Sequence, residues 1–138
     1  MSGARPAGLR ELFAHTDVVS VHTPLLPATR GLVDRDLIFS MRPGAALINT
    51  SRGAVLDQDA LTDAATAGRI HAVLDVTDPE VLPADHPLWD FLITPHLAGS
   101  QGNEWARLTD FAAAEAARWA AGVGFAHSVR PEMLAFLA

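Results

Sequence analysis

Cysteine is absent from the 138-residue sequence, which excludes disulfides, thiolate zinc sites and cysteine nucleophiles. No apolar run approaches the roughly 20 residues that a membrane-spanning helix needs. Positive charge is scarce, with 10 Lys plus Arg against 16 Asp plus Glu and a formal net charge of -6. Because nucleic acids require a cationic surface, we expect no nucleic-acid partner. The first ten residues also lack the apolar stretch of a signal peptide, so we expect a cytoplasmic protein without a membrane partner.

The composition is that of a folded domain. Hydrophobic residues make up 49% of the chain, and 138 residues suffice for one core. The small and polar residues 1–8 predict a disordered start. We expect the folded domain to occupy residues 9–121 and a C-terminal tail to occupy residues 122–138.

Short apolar runs alternate with segments of helical pattern. The predicted strands are residues 18–21, 45–48, 72–76 and 92–94. Their lack of strict alternation is typical of parallel strands that are buried on both faces. Helices are predicted over residues 9–14, 34–41 and 57–67, the last two opening with an N-cap aspartate. Strands that alternate with helices predict an α/β fold with a parallel sheet flanked by helices.

A longer helix is predicted over residues 101–121. Trp105, Leu108, Ala112 and Trp119 recur there at helical spacing. We expect this apolar stripe to pack on the sheet or on a neighbouring domain. The tryptophans are then packing residues and not cofactor contacts.

Polar residues follow each predicted strand, at the end where parallel sheets bind ligands. They are His22 and Thr23, then Asn49, Thr50, Ser51 and Arg52, then Asp75, Asp78 and Glu80, and finally His96. Since the carboxyl ends of parallel strands share one edge, we expect these clusters to converge.

Arg52, Glu80 and His96 suit the reversible reduction of a 2-keto acid. A histidine exchanges a proton near neutral pH, and a carboxylate beside it favours the imidazolium. An arginine binds a substrate carboxylate through two parallel hydrogen bonds. The hydride must come from a cofactor, since no side chain supplies one.

Each of these residues also has a simpler interpretation. Arg52 could cap a loop, Glu80 could be a solvated loop carboxylate, and His96 could be a loop histidine. The remaining histidines are interpreted as structural, with His86 making a loop contact. No pair of the six histidines has the helical i, i+4 spacing of a zinc enzyme, so we expect no metal.

Several long motifs resemble one known family. They are DVVSVHTPL (17–25), TRGLV (29–33), MRPGAALINTSRGAVLD (41–57), GRI (68–70), LDVTDPE (74–80) and TPHLAG (94–99). In this order they resemble the NAD(P)-binding domain of the D-isomer-specific 2-hydroxyacid dehydrogenases. The resemblance covers about residues 12–99.

The resemblance implies roles for individual residues. Arg52 falls on the substrate-carboxylate arginine, His96 on the acid/base histidine and Glu80 on its partner. Asp75 falls on the contact to the nicotinamide amide. The other implied cofactor neighbours are Thr23, Thr50, Ser51, Ala98 and Gly99, with Arg52 and His96 bordering the same site. The family implies NAD or NADP as cofactor, a small 2-keto or 2-hydroxy acid as substrate, and a cytosolic homodimer.

The sequence also departs from the family pattern. No Gly-x-Gly-x-x-Gly turn, which holds the cofactor pyrophosphate at a helix N-terminus, occurs in it. We therefore expect a partial Rossmann-type sheet that lacks the first βαβ unit, without the family's substrate domain. The stretch 88–96 is a few residues shorter than usual, and we expect this to threaten the register of His96 with Glu80.

Alternative functions follow from these departures. The chain could be a weak or inactive piece of a 2-hydroxyacid dehydrogenase, with little affinity for NAD(H) by itself. It could instead be a catalytically silent truncated domain that serves as a binding or dimerisation module. A relative of formate dehydrogenase or of S-adenosylhomocysteine hydrolase is a third hypothesis. Formate-type members usually have Gln at the position of Glu80, so Glu80 favours a 2-hydroxyacid substrate.

Overall fold

A computed structural model describes residues 3–99 and 101–136. Within these ranges the chain forms one four-stranded sheet in which all neighbouring strands are parallel, in the order β1-β2-β3-β4. The strands are β1 (Val18–Val21), β2 (Ala46–Asn49), β3 (His71–Leu74) and β4 (Leu92–Ile93). The predicted α/β fold with a parallel sheet is confirmed, and the strand boundaries shift by at most two residues.

Three helices precede or connect the strands. They are α1 (Leu9–His15), α2 (Arg35–Ser40) and α3 (Gln58–Thr66). The side chain of Asp34 accepts a hydrogen bond from Leu37 N at the start of α2, and Asp57 accepts one from Ala60 N at the start of α3, both at 2.9 Å. The predicted aspartate N-caps are thus confirmed.

The sheet is buried on one face only. Strand residues alternate between buried positions, such as Val19 and Leu47, and accessible positions, such as Val18. The expectation of strands buried on both faces is therefore wrong for the described residues. The strands follow one another in a single direction across the sheet. Because crossovers between parallel strands are right-handed, this order puts the connecting helices on one side of the sheet. Phe13 and Leu61 are fully buried on that side.

A long helix, α4 (Glu104–Ala120), follows the sheet, close to its predicted bounds. None of its residues is buried, and Trp105 and Trp119 are 65% and 70% exposed. The expectation that its stripe packs on this sheet is wrong, because the hydrophobic core of the described residues contains no residue of α4. A 3₁₀ helix (Pro131–Phe136) lies beyond α4.

In residues 3–8 and 122–136 the only regular element is this 3₁₀ helix. Residues 3–8 form neither helix nor strand, and the predicted disordered start also includes residues 1–2, which lie outside the described residues. The predicted tail likewise extends to residues 137–138, outside those ranges.

Across the described parts of the chain, no helix combines the length and apolarity needed to cross a bilayer.

Candidate active site

The polar residues that follow the strands lie at the carboxyl edge of the sheet. The chain passes from β1 to Thr23, from β2 to Arg52, from β3 to Glu80 and from β4 to His96. Because the four strands are parallel and adjacent, their loops emerge side by side. The loops therefore share one edge, as the strand pattern predicts.

A short contact at this edge joins Glu80 and His96. Nδ1 of His96 lies 2.6 Å from Oε1 of Glu80, and the two side chains are 45% and 56% exposed, respectively. Since an ionised carboxylate only accepts hydrogen bonds, Nδ1 is the donor. The expectation that the short 88–96 stretch disturbs this register is wrong, because the pair is in contact. His96 N donates to Asp75 O at 3.0 Å and fixes the loop directly after β3.

Asp75 organises the loop that carries His96. Its carboxylate is buried and accepts hydrogen bonds from the Thr94 hydroxyl and from the backbone N–H groups of Leu97 and Ala98, the latter two at 2.8 Å. Burial acts to raise the pKa of Asp75. The hydrogen bonds from Thr94, Ala98 and Leu97, together with the nearby His96, outweigh it and hold that pKa below its ordinary value.

Asn49 organises the loop that carries Arg52. This residue is fully buried, and its Nδ2 donates to Arg52 O at 2.9 Å. Its Oδ1 accepts from Ser51 N at 3.0 Å and from Ser51 Oγ at 2.8 Å. One buried amide thus satisfies several polar groups of a tight turn, because its donor and acceptor can act together.

The Arg52 side chain is exposed, and its Nη1 donates to Ser51 O at 2.7 Å. Arg52 and Glu80 line one cavity of about 200 Å³, and Glu80 and His96 line a second of about 340 Å³. Glu80 thus joins the two cavities. Within the described residues Arg52 makes no hydrogen bond or ion pair with His96, so the structure brings them to one edge and not into contact.

The residues that the family resemblance assigns to the cofactor fall into three places, of which the His96 cavity holds Asp75 and His96. Thr23, Thr50 and Ser51 line a third cavity of about 250 Å³, which also includes Arg52. Ala98 and Gly99 are exposed at the end of the His96 loop. Arg52 borders both the first and the third cavity, so the three cavities are neighbours along the edge.

Two residues that hold this edge together were missed by the sequence analysis. The Thr77 hydroxyl contacts the carbonyl oxygens of Pro79 and Glu80 at 2.9 and 3.1 Å. A Cβ on Gly53 would lie 2.1 Å from the Thr77 carbonyl carbon, so the Arg52 loop packs directly on the Glu80 loop. The available signal for Gly53 was its place directly after Arg52, between the second predicted strand and the helix predicted over residues 57–67. Nothing in the sequence distinguishes Thr77.

Two of the other histidines, His22 and His86, have a hydrogen-bond partner nearby. Nδ1 of His86 accepts from Leu88 N at 3.2 Å, which is the predicted loop contact. Nε2 of His22 lies 2.8 Å from Ser20 Oγ. In residues 3–99 and 101–136, no three or more His, Asp or Glu side chains are grouped so that they could hold a metal ion.

Known proteins match the segment of the chain that contains the sheet and the loops at its carboxyl edge. Residues 1–98 match the family of D-isomer specific 2-hydroxyacid dehydrogenases, NAD binding domain. The hydroxypyruvate reductase of Blautia hydrogenotrophica is 36% identical over 108 residues, which cover 75% of this chain and 34% of the relative. The human glyoxylate reductase/hydroxypyruvate reductase is 44% identical over 94 residues, covering 65% and 29%.

A solved structure has the same fold. The D-isomer specific 2-hydroxyacid dehydrogenase of Xanthobacter autotrophicus Py2, in complex with NADPH and MES, superposes with a TM-score of 0.75 at 36% identity. The match covers 90% of this chain and 52% of that protein. This chain spans about a third of the length of the two curated relatives. The family match covers most of the residues of this chain. The chain therefore belongs to the D-isomer-specific 2-hydroxyacid dehydrogenase family and corresponds to its NAD-binding domain.

Proposed function

We propose that this chain supplies the acid/base and carboxylate-binding groups for the NAD(P)-dependent reduction of a 2-keto acid to a D-2-hydroxy acid. The observation that carries the proposal is the 2.6 Å contact between His96 and Glu80, at the sheet edge that also presents Arg52. Family membership supports the same reaction class.

In this proposal His96 gives a proton to the carbonyl oxygen of the substrate. Its Nδ1 is engaged by Glu80, so the proton leaves from Nε2. Glu80 fixes the tautomer and the orientation of the imidazole ring, and its negative charge stabilises the ring when it is protonated. In the reverse reaction Nε2 accepts the proton of the hydroxyl group.

Arg52 binds the substrate carboxylate. Its guanidinium has five N–H donors in a planar fork, and one N–H of Nη1 donates to Ser51 O. A carboxylate can therefore take two parallel N–H bonds from the remaining donors. Arg52 and Glu80 line one cavity, which supports binding of this carboxylate next to the acid/base pair.

The edge fits the nicotinamide end of a dinucleotide. Thr23, Thr50 and Ser51 present hydroxyl groups in one cavity, and Asp75 borders the His96 cavity with three of its acceptor positions already filled. One acceptor position of Asp75 is left for a carboxamide N–H. When bound, the nicotinamide supplies the hydride. No glycine-rich pyrophosphate turn occurs in these 138 residues, so the fit is to the nicotinamide end alone.

A chimera tests the proposal directly. Residues 12–99 would replace the matched segment of the Blautia hydroxypyruvate reductase, and NAD(P)H oxidation with 2-keto acids would be followed. We expect turnover by the chimera, a loss of about 100-fold or more in kcat/KM for Arg52→Ala, and a similar loss for His96→Ala. Arg42→Ala is the control, since Arg42 is an exposed arginine paired with Asp17 at 3.2 Å.

A folded chimera without turnover, or one that tolerates Arg52→Ala, would contradict the assigned roles. The choice between NAD and NADP would be read from the same assay with each cofactor.

We also propose a cytoplasmic homodimer. The exposed apolar side chains of α4, with Phe111 52% and Trp119 70% exposed, support an interface with a second copy. The cytoplasmic location is what the family resemblance implies. Sedimentation equilibrium of the chain should give a dimer that Trp119→Asp converts to a monomer. A wild-type monomer at all concentrations would refute the dimer.

A further inference from the structure

We propose that Gln58, the first residue of α3, is a positioning residue that keeps Glu80 in register with His96 by clamping the backbone of Asp78. The inference rests on the proposed function only in treating the Glu80–His96 pair as functional. Gln58 is far from the pair in sequence, and no motif singled it out.

The clamp consists of two hydrogen bonds. Gln58 Oε1 accepts from Asp78 N at 2.8 Å, and Gln58 Nε2 donates to Asp78 O at 2.8 Å. Together they engage both polar groups of one backbone residue, much as a neighbouring strand would. Paired bonds of this kind fix the orientation of the loop as well as its distance from α3.

Gln58 is held by a rigid element. It directly follows Asp57, whose side chain caps α3 through Ala60 N at 2.9 Å. The Gln58 carbonyl oxygen accepts a hydrogen bond from the Thr62 hydroxyl at 2.8 Å. The side chain of Leu61 is fully buried and anchors α3 in the core. The loop is therefore tied to a helix that is anchored in the core.

Contacts lead from the clamped residue to the imidazole ring. Asp78 lies two residues before Glu80, and the Thr77 hydroxyl contacts the Pro79 and Glu80 carbonyls. Glu80 Oε1 then meets His96 Nδ1 at 2.6 Å. Since both side chains of this pair are about half exposed, water competes for them, and the contact depends on a fixed backbone.

The other outer anchor of the loop is weaker. Arg30 Nη1 lies 3.6 Å from Asp78 Oδ2, and the two side chains are 64% and 54% exposed. Exposed ion pairs of this kind contribute little to stability. Gln58 is therefore the principal polar contact from the helices to this loop among the described residues.

The test uses the ring nitrogens of His96 in the ¹⁵N-labelled 138-residue chain. Nitrogen chemical shifts give the fraction of neutral His96 with its proton on Nδ1, and Glu80→Ala gives the value for a broken pair. We expect Gln58→Met, which removes both bonds, to lower this fraction most of the way to the Glu80→Ala value. Gln58→Glu, which keeps the acceptor, should give an intermediate fraction.

Gln101→Met is the matched control, since it makes the same replacement at the chain's other glutamine, and it should leave the fraction unchanged. A wild-type fraction in Gln58→Met, with an unchanged circular dichroism spectrum, would overturn the inference. If Gln58→Met does not fold, a wild-type fraction in Gln58→Glu overturns it equally. An unchanged fraction in Glu80→Ala would instead count against the proposed Glu80–His96 pair, so the two failures are distinguishable.

Discussion

At the residue scale, the smallest side chain sets the distance between two loops of the candidate site. Gly53 packs against the peptide that joins Thr77 to Asp78, and its φ angle lies outside the left-handed region. The glycine is therefore required by close approach and not by backbone conformation. This contact brings the loop that carries Arg52 against the loop that carries Glu80.

Gly53→Ala should separate these loops. The added Cβ would lie 2.1 Å from Thr77 C, with backbone atoms that cannot give way cheaply. We expect a loss of about 1–3 kcal/mol in the free energy of unfolding, measured by urea denaturation. Gly124→Ala is the control, because no atom lies within 4 Å of its added Cβ. Equal stability of the two variants would show that the loops do not pack as described.

Asp75 gives the site a dependence on pH. Its pKa is lower in the folded chain than its ordinary value of 3.8, so the carboxylate stabilises the fold above that value. This stabilisation is lost as the pH falls through the lowered pKa. Asp75→Asn should cost about 1–3 kcal/mol at neutral pH, because its amide N–H₂ meets donor groups of the His96 loop.

Urea denaturation of both proteins across the acid range checks this. The difference between the wild type and Asp75→Asn should shrink on acidification through the lowered pKa. A difference that is independent of pH would exclude a charged Asp75 as its source.

At the scale of elements, local signals in the sequence are enough to predict the strands and helices but not the contacts between them. The apolar runs give the four strands, and Asp34 and Asp57 mark the starts of α2 and α3, because caps and burial patterns depend on nearby residues. The contacts of Gln58 depend instead on how α3 meets a loop that lies 20 residues further along the chain. No spacing in a single sequence encodes such contacts.

The burial of an amphipathic helix is not a local property either. The stripe on α4 predicts a packed face, yet the described core closes without that face, and Trp119 is 70% exposed. Periodicity indicates that a face is apolar but not which surface covers it. The same reasoning explains why the strands, which have continuous apolar runs, are covered on only one side in this chain.

α4 should therefore contribute little to the stability of the monomer. At concentrations where the chain is monomeric, Trp119→Ala should change the free energy of unfolding by less than about 0.5 kcal/mol. Leu61→Ala, which empties a fully buried position of α3, should cost about 2–5 kcal/mol. Comparable losses in the two variants would place α4 on the core.

At the scale of the whole molecule, these 138 residues hold the nicotinamide end of the proposed site without a glycine-rich pyrophosphate turn. Much of the binding energy of a dinucleotide comes from its phosphates at a helix N-terminus. Isothermal calorimetry of this polypeptide with NADH should therefore detect no saturable binding below about 1 mM. Low-micromolar binding would mean that another part of the chain holds the phosphates.

Titration of the ¹⁵N-labelled chain with oxamate, an unreactive analogue of a 2-keto acid, tests most directly whether Arg52 and His96 serve one ligand. The Arg52 side-chain N–H and the His96 ring signals should shift along one saturation curve, since a single small molecule meets both. Arg52→Ala should abolish the shift at His96, and Arg42→Ala should not. A shift at Arg52 with none at His96, or a His96 shift that survives Arg52→Ala, would contradict a shared site.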